Sequence, residues 1–226
     1  SFESRACITT GNDVKYSPQA TAFNQGIFGA GNGCNGGNSA WGFFKNTGVP
    51  TGGDYSDIGS GTTCQPYGFA ACAHHVPATE KYPACPSGEY PNPKKSTSCS
   101  EDSYAVDFKS DSLHASKTYS VRGVNNMMQE LVTNGPMYVS FTVYSDFPTY
   151  KTGVYQPTSH SALGGHAVTL VGYGTLDGTP YWKVKNSWNE QWGDQGHFLI
   201  IRGENSCGIE SDANAGDIQT SYETTV

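Results

Sequence analysis

The sequence predicts an α+β fold, in which a loop-rich, cysteine-bearing first half leads to one helix and then to antiparallel β structure. Three observations carry that prediction. Val124, Met127, Met128 and Leu131 recur at helical spacing and Asn134-Gly135-Pro136 stops the pattern, which marks one amphipathic helix. Beyond it, residues 137–144, 166–173, 181–187 and 197–202 read as strands separated by Gly, Pro and Asp turns. Finally, 28 glycines and 12 prolines beside 36% hydrophobic residues favour a protein of many loops over a helical bundle. A length of 226 residues suits one large domain, or two small lobes around a shared cleft.

From Ser1 to about Cys7 the chain opens without a helix cap, with Phe2 and Ile8 flanking charged residues, as in the back end of a helix. Residues 25–53 are dense in glycine and broken by Trp41-Gly42-Phe43-Phe44-Lys45, so loops around one short helix are expected. Between Ser60 and Ser112 neither period is sustained. Cys64, Cys72, Cys85 and Cys99 all fall there and can staple a stretch that builds no core of its own. The helix at 124–131 and the four strands follow, with no internal repeat.

The net charge of −7 and a pI near 5.2 weigh against nucleic acid as a partner, because a phosphate backbone demands clustered Lys and Arg. No stretch approaches the roughly 20 apolar residues of a membrane span, and no charged-then-apolar leader opens the chain. A mature, soluble protein with no membrane partner is expected. Seven cysteines, at 7, 34, 64, 72, 85, 99 and 207, favour an oxidising compartment. Their odd number leaves at least one free or paired outside this sequence.

The chemistry concentrates in Gly164-Gly165-His166-Ala167, which runs on to Gly174, and in Tyr181 to Asn186-Ser187-Trp188 after a Gly/Asp turn. This reads as a β-hairpin. A connection centred on Leu176 sets residues whose numbers sum to 352 opposite one another, and His166 with Asn186 is such a pair. A carboxamide oxygen beside an imidazole accepts one ring N–H, fixes the tautomer and aims the other nitrogen outward. Taken alone, the pair can equally be two polar residues at a strand end satisfying each other.

Gly-Gly-His-Ala together with Asn186-Ser187-Trp188-x-x-x-Trp192-Gly193 resembles the His and Asn motifs of the papain family of cysteine proteases. The resemblance continues through Cys34-Asn35-Gly36-Gly37, through Val143-Tyr144-Ser145-Asp146-Phe147 and through residues 150–155, and covers essentially the whole chain. It implies a papain-like two-lobed fold around a central cleft. Residues 1–112 would form most of a helical left lobe, and 113–226 most of an antiparallel β-barrel-like right lobe, the last residues crossing back to the left. By the same resemblance His166 is general base and acid, Asn186 orients it, and Trp188 shields their hydrogen bond from water. Trp192 is read as structural. Gly36 and Gly37 resemble the stretch whose backbone pairs with an extended substrate, a task suited to residues without a side chain in the way. A plain Gly-Gly turn is the alternative.

Within the family, an inserted loop bearing two adjacent histidines marks the cathepsin B-like group, and Ala71-Cys72-Ala73-His74-His75-Val76 fits it. The resemblance places that loop within about residues 64–99, closes it by Cys72–Cys85, and pairs Cys64 with Cys99. It also implies that His74 and His75 bind a substrate's C-terminal carboxylate, so that dipeptides are released alongside internal cleavage. A surface histidine pair is one alternative. A zinc site on Cys72, His74, His75 and Cys85 is another, at a spacing that matches no common structural site. No metal and no cofactor are expected. Asp212 falls where cathepsin B-like enzymes carry a Glu, in the pocket for the second residue before the cut. An acid there would admit Arg, and an exposed acidic turn is the alternative.

The family's nucleophile sits in a Gln-Gly-x-Cys-Gly-Ser-Cys-Trp-like motif, and no cysteine of this sequence has that context. Cys7 resembles the disulfide cysteine just beyond the nucleophile's helix, which puts the nucleophile roughly eight residues before Ser1 and the oxyanion-hole glutamine before that. Cys7 and Cys34 would then pair with upstream cysteines, while Cys207 resembles a buried free thiol. Two departures touch the pocket lining: residues 17–33 lack the group's further cysteines, and Asn38-Ser39 replaces a Tyr-Pro pair. The expected function is peptide-bond hydrolysis by a thiolate–imidazolium pair. Peptide or protein substrates, an inhibitory propeptide and cystatin-like inhibitors are the expected partners of a monomer in a lysosomal, vacuolar or extracellular setting. The rival expectation is a non-catalytic relative that binds peptides or inhibitors in the same cleft.

Overall fold

A computed structural model describes residues 1–24, 31–88, 90–91 and 93–220, the side chain of Cys34 excepted. In chain order it runs through helices α1 (Phe2–Thr10), α2 (Pro18–Phe23) and α3 (Trp41–Asn46), strands β1 (Gly52–Gly53) and β2 (Gln65–Pro66), helix α4 (Phe108–Asp111), strand β3 (Ala115–Val121) and helix α5 (Val124–Asn134). Strands β4 (Met137–Tyr144), β5 (Val154–Tyr155), β6 (Ala162–Leu176), β7 (Thr179–Lys185), β8 (His197–Ile201) and β9 (Ala213–Ile218) complete it. The class is α+β.

The chain divides into two compact units. One comprises Ala71–Pro86 and Tyr119–Ala215, and the other Phe2–Ala70, Ser87–Thr118 and the residues from Gly216 onward. Sequence reading puts the division at 112/113, whereas the structure puts it inside β3 and groups residues 71–86 with the later sheet. The reason is local: the rings of His74 and His75 pack on Trp188, and Cys72 O accepts a hydrogen bond from Asn189.

Strand order in the large sheet is β3-β9-β4-β6-β7-β8-β5. Every second residue of β4 is buried (Met137, Val139, Phe141, Val143), the period of a strand with one face on a core. Trp182 and Val184 of β7 and Phe198 and Ile200 of β8 join that face, with Phe147, Trp192 and Met127 of α5. Each large apolar side chain so buried contributes about 1.5–3 kcal/mol. Helix α5 is bounded by Gly123 and Gly135, both at positive φ, and the Gly135 N–H closes it on Leu131 O, as expected of glycine at a helix end.

The β6–β7 hairpin differs from its sequence reading. Its turn is Asp177-Gly178, both left-handed at φ 48° and 82°, so Leu176 faces Thr179 and Tyr173 faces Trp182. An irregularity between Leu170 and Gly172 then shifts the register, giving Thr169 opposite Lys185. The two-residue turn with positive φ at both positions is the tightest hairpin connection. It leaves His166 beyond the end of β7, not laddered with Asn186.

In the other unit, Phe2 of α1 packs on Trp41 and Phe44 of α3, with ring centroids 5.8 and 4.4 Å away. Ser17 caps α2 by accepting Ala20 N–H at 2.9 Å, and Pro18 opens it. Cys64 and Cys99 form a disulfide there. Asp111 gathers the surrounding loops, accepting Thr51 N–H at 2.6 Å and Tyr104 OH at 2.6 Å.

Candidate active site

His166 stands in β6 opposite Phe141 of β4, its ring 5.9 Å from the Phe141 ring. Asn186 follows the last residue of β7 and is only 8% exposed. Its backbone N–H donates to Gly196 O at 2.9 Å. The side chain then reaches back, putting Asn186 Oδ1 2.8 Å from His166 Nε2.

That same oxygen accepts Ser187 N–H at 2.8 Å. A flipped amide would set its NH2 against this N–H, so Oδ1 is fixed as the acceptor and His166 Nε2 carries the proton. Nδ1 therefore keeps the lone pair and is the nitrogen able to take a proton. Asn186 Nδ2 is buried without a hydrogen-bond partner, a cost of about 1–3 kcal/mol that the two bonds on its oxygen help to offset.

Trp188 stacks on His166, with centroids 5.2 Å apart and planes 22° apart. Trp188 is itself buried against Trp192 at 5.0 Å and Phe147 at 5.5 Å. A hydrogen bond beside such a wall gains from the low local dielectric. Trp192 is fully buried and donates Nε1–H to Pro148 O at 2.9 Å, which agrees with a packing role.

The histidine pair lies on the same indole. The His75 ring is 4.3 Å and the His74 ring 5.4 Å from Trp188, and 4.2 Å separates the two imidazoles. His75 has φ 57°, a left-handed conformation costing about 1–3 kcal/mol in a residue with a Cβ. The Cys72–Cys85 disulfide closes the loop, with Cα atoms 4.9 Å apart, and Ala73 N–H donates to Pro83 O at 2.8 Å. Anchors to the turn after Trp188 were not singled out in the sequence: Lys81–Glu190 at 2.5 Å, Gln191 Nε2 to Thr79 Oγ1 at 3.3 Å, and Asn189 Nδ2 to Cys72 O at 3.5 Å. Asn189 carries the one local signal, since Asn readily takes the positive φ of 67° found there.

All three imidazoles hold their protons less tightly than usual. Burial is the main cause at His166, opposed by the Asn186 bond and reinforced by His75. Burial also leads at His74, followed by the repulsion of His75 and His166, and burial alone acts at His75. A desolvated base with like-charged neighbours stays neutral into mildly acid solution.

The remaining expected residues are placed as follows. Asp212 is exposed and already engaged, accepting Ser140 Oγ at 2.9 Å and Asn214 Nδ2 at 2.6 Å. The loop before it is clasped by Glu210, which accepts Trp182 Nε1–H at 2.8 Å and the Gly203 and Asn205 N–H groups at 2.6 and 3.0 Å. Gly36 and Gly37 belong to the other unit; Gly36 has φ 84° and Gly37 bridges Gly31. A Cβ on Gly36 would meet nothing within 4 Å, so the dihedral and not crowding selects glycine there. Cys7 is free and exposed, and Cys207 is free and half-buried, burial pushing its thiol up; the Cys34 side chain lies outside the described residues. The zinc alternative fails because Cys72 and Cys85 are consumed in their disulfide, and among the described residues no cluster of three ligating side chains exists. No helix of the described residues is long and apolar enough to cross a membrane.

The family model described as papain family cysteine protease matches residues 1–216. The chain belongs to the papain family of cysteine proteases. This papain-family chain is 44% identical over 220 residues to cathepsin B-like cysteine proteinase 5 of Caenorhabditis elegans, covering 94% of the chain and 62% of that protein. It is 36% identical over 219 residues to a cathepsin B-like cysteine proteinase of Schistosoma japonicum, covering 96% and 62%. Among solved structures, procathepsin B S9 from Trypanosoma congolense matches with a TM-score of 0.78 at 32% identity, over 97% of this chain and 66% of that one. The fold is thus the α+β papain-like one and the resemblance cathepsin B-like, while the chain spans 62% of either curated relative.

Proposed function

We propose that this chain forms the larger part of a cathepsin B-like peptidase, in which His166 is base and acid to a thiol contributed from upstream of Ser1. The observation that carries the reading is the His166 Nε2–Asn186 Oδ1 bond, which leaves Nδ1 as the proton acceptor beneath Trp188. Nδ1 takes the thiol proton, and the thiolate attacks the scissile carbonyl carbon. The imidazolium then returns the proton to the leaving amine, and a thioester remains. Neutral Nδ1 next takes a proton from water, whose oxygen attacks the thioester, and that proton goes back to the departing sulfur. Asn186 Oδ1 holds Nε2–H throughout, so the ring keeps one orientation in both charge states.

On this reading His74 and His75 take a substrate's C-terminal carboxylate, as N–H donors when neutral and as cations in acid. Because burial lowers both pKa values, dipeptide release should gain most on the acid side. The Gly36–Gly37 backbone would pair with extended substrate, and Asp212 would favour Arg two residues before the cut. Two disulfides and the procathepsin likeness support a secretory-pathway zymogen held by a propeptide.

The test uses the full-length protein and an epoxysuccinyl peptide that alkylates active-site thiols. The wild type should be labelled once, and His166→Ala should slow labelling and turnover by at least about 10²-fold. Equal labelling of the two would defeat the proposal. His74→Ala with His75→Ala should depress dipeptide release while sparing internal cleavage, and an unchanged ratio would remove the carboxylate role.

A further inference from the structure

Strands β3, β9 and β4 lie side by side, and four polar side chains of one compact unit cross them in a line. Ser120 of β3 donates its hydroxyl to Asn214 Oδ1 at 3.2 Å. Asn214 of β9 donates Nδ2–H to Asp212 Oδ1 at 2.6 Å, and Ser140 of β4 donates its hydroxyl to Asp212 Oδ2 at 2.9 Å. The backbone explains the match: Tyr138 pairs with Asn214 and Val139 with Ala213, so the next step of an antiparallel ladder brings Ser140 to Asp212. On its other side Ser140 stands opposite Ala167, the neighbour of His166. Asp212 is therefore two strand spacings, about 10 Å, from the chain that bears the base.

The carboxylate so held is fixed in place but not neutralised. Among the described residues no Lys or Arg lies within ion-pair distance of Asp212, and its two bonds come from an uncharged hydroxyl and an uncharged amide. Tyr138, opposite Asn214, adds a neutral hydroxyl, its pKa raised chiefly by burial and, against a bond to Ser140, by Asp212. Both carboxylate oxygens are anchored on the protein side, and each keeps a lone pair for a further donor. Asp212 itself is exposed, so a cation can reach it. A planar guanidinium sets two parallel N–H groups on two fixed oxygens, whereas an ammonium binds as a point charge and gains little from their being fixed. We infer that Ser140 and Asn214 are positioning residues that set Asp212 to select Arg over Lys two residues before the cut. They act through Asp212, so this role rests on the reading of Asp212 as the acid of that pocket, and adds what aims the acid and which basic side chain it takes.

The full-length protein is assayed on peptides that differ only in carrying Arg, Lys or norleucine two residues before the cut. The ratio of kcat/KM for Arg to that for Lys is read within each variant, so a loss of folded enzyme cancels from it. Wild type should favour Arg at least about tenfold. Ser140→Ala and Asn214→Ala should each lower that ratio at least about threefold, mostly through KM for the Arg peptide, and Ser140→Thr, which keeps a hydroxyl, should hold it near the wild-type value. Asp212→Asn should bring it close to one. A wild-type ratio close to one, or a ratio unchanged in either alanine variant, would overturn the positioning role, even where Asp212→Asn still lowers Arg cleavage relative to norleucine and so leaves the pocket reading standing. Asp212→Asn without effect on either comparison would defeat the pocket reading, and the positioning role with it.

Discussion

Asn186 contributes one oxygen that two donors share, His166 Nε2–H and Ser187 N–H. Asn186→Ala should free the imidazole to rotate and to exchange tautomers, lowering kcat/KM by about 10²-fold with little change in KM. Asn186→Asp sharpens the test: a carboxylate beside Nε2–H would favour imidazolium and raise the pKa that His166 shows in its NMR titration. His75→Gln should raise the same pKa, since His75 repels the imidazolium. An unchanged His166 titration in both variants would contradict the electrostatics described. At this scale residue types and motif context led to the expectation that His166, Asn186 and Trp188 act together, and the structure brings the three side chains into contact. The contact itself was reached by a wrong register: the hairpin turns at Asp177-Gly178 and bulges near Val171, and a side chain bridges the gap that the ladder leaves.

Among the elements, the loop of residues 71–86 is held by interactions of unequal worth. Closing a loop of this length by a disulfide is worth about 3 kcal/mol, so Cys72→Ser with Cys85→Ser should lower the unfolding free energy by about that amount and open residues 73–84 to protease. The Lys81–Glu190 pair is exposed at both ends, and Glu190→Gln should leave the midpoint of denaturant unfolding nearly unchanged. A larger loss from Glu190→Gln than from the cysteine pair would invert this ranking. The sequence announced α5 and β4 clearly because their periods coincide with burial. It announced β3 and β9 poorly, since β3 keeps only its end residues buried and β9 includes Gly216 and Asp217. Helix α2 carried a readable signal in Ser17-Pro18, a capping residue before a first-turn proline, and only its brevity hid it.

Over the whole molecule, acid should unfold the protein in two stages. His74, His75 and His166 have folded pKa values below the ordinary value, so the unfolded chain binds protons first, and stability falls as pH drops below about 6.5. Asp146 behaves as a lowered carboxylate. Burial works to raise it, but bonds from Thr158 N–H and Oγ1 and from Tyr155 OH hold it at about 2. Its contribution is complete above about pH 4 and is lost as pH falls through its folded value. Melting curves of wild type and Asp146→Asn should therefore differ at pH 5 and converge near pH 2; a constant gap would refute the assignment. The two units as such were legible only as a class, because their division runs through strands β3 and β9, where no change in composition marks it.

Trp188 touches His74, His75 and His166 at once. A shared neighbour removes independence: a substitution that reshapes the indole for the loop also alters the wall over the base, and the reverse holds. Under the proposed function, variation at the histidine loop is filtered through hydrolytic competence, and lineages that lose or remodel the loop should change residue 188 and its surroundings together with it. Pairs of substitutions drawn from positions 74, 75 and 188 should be strongly non-additive in double-mutant cycles.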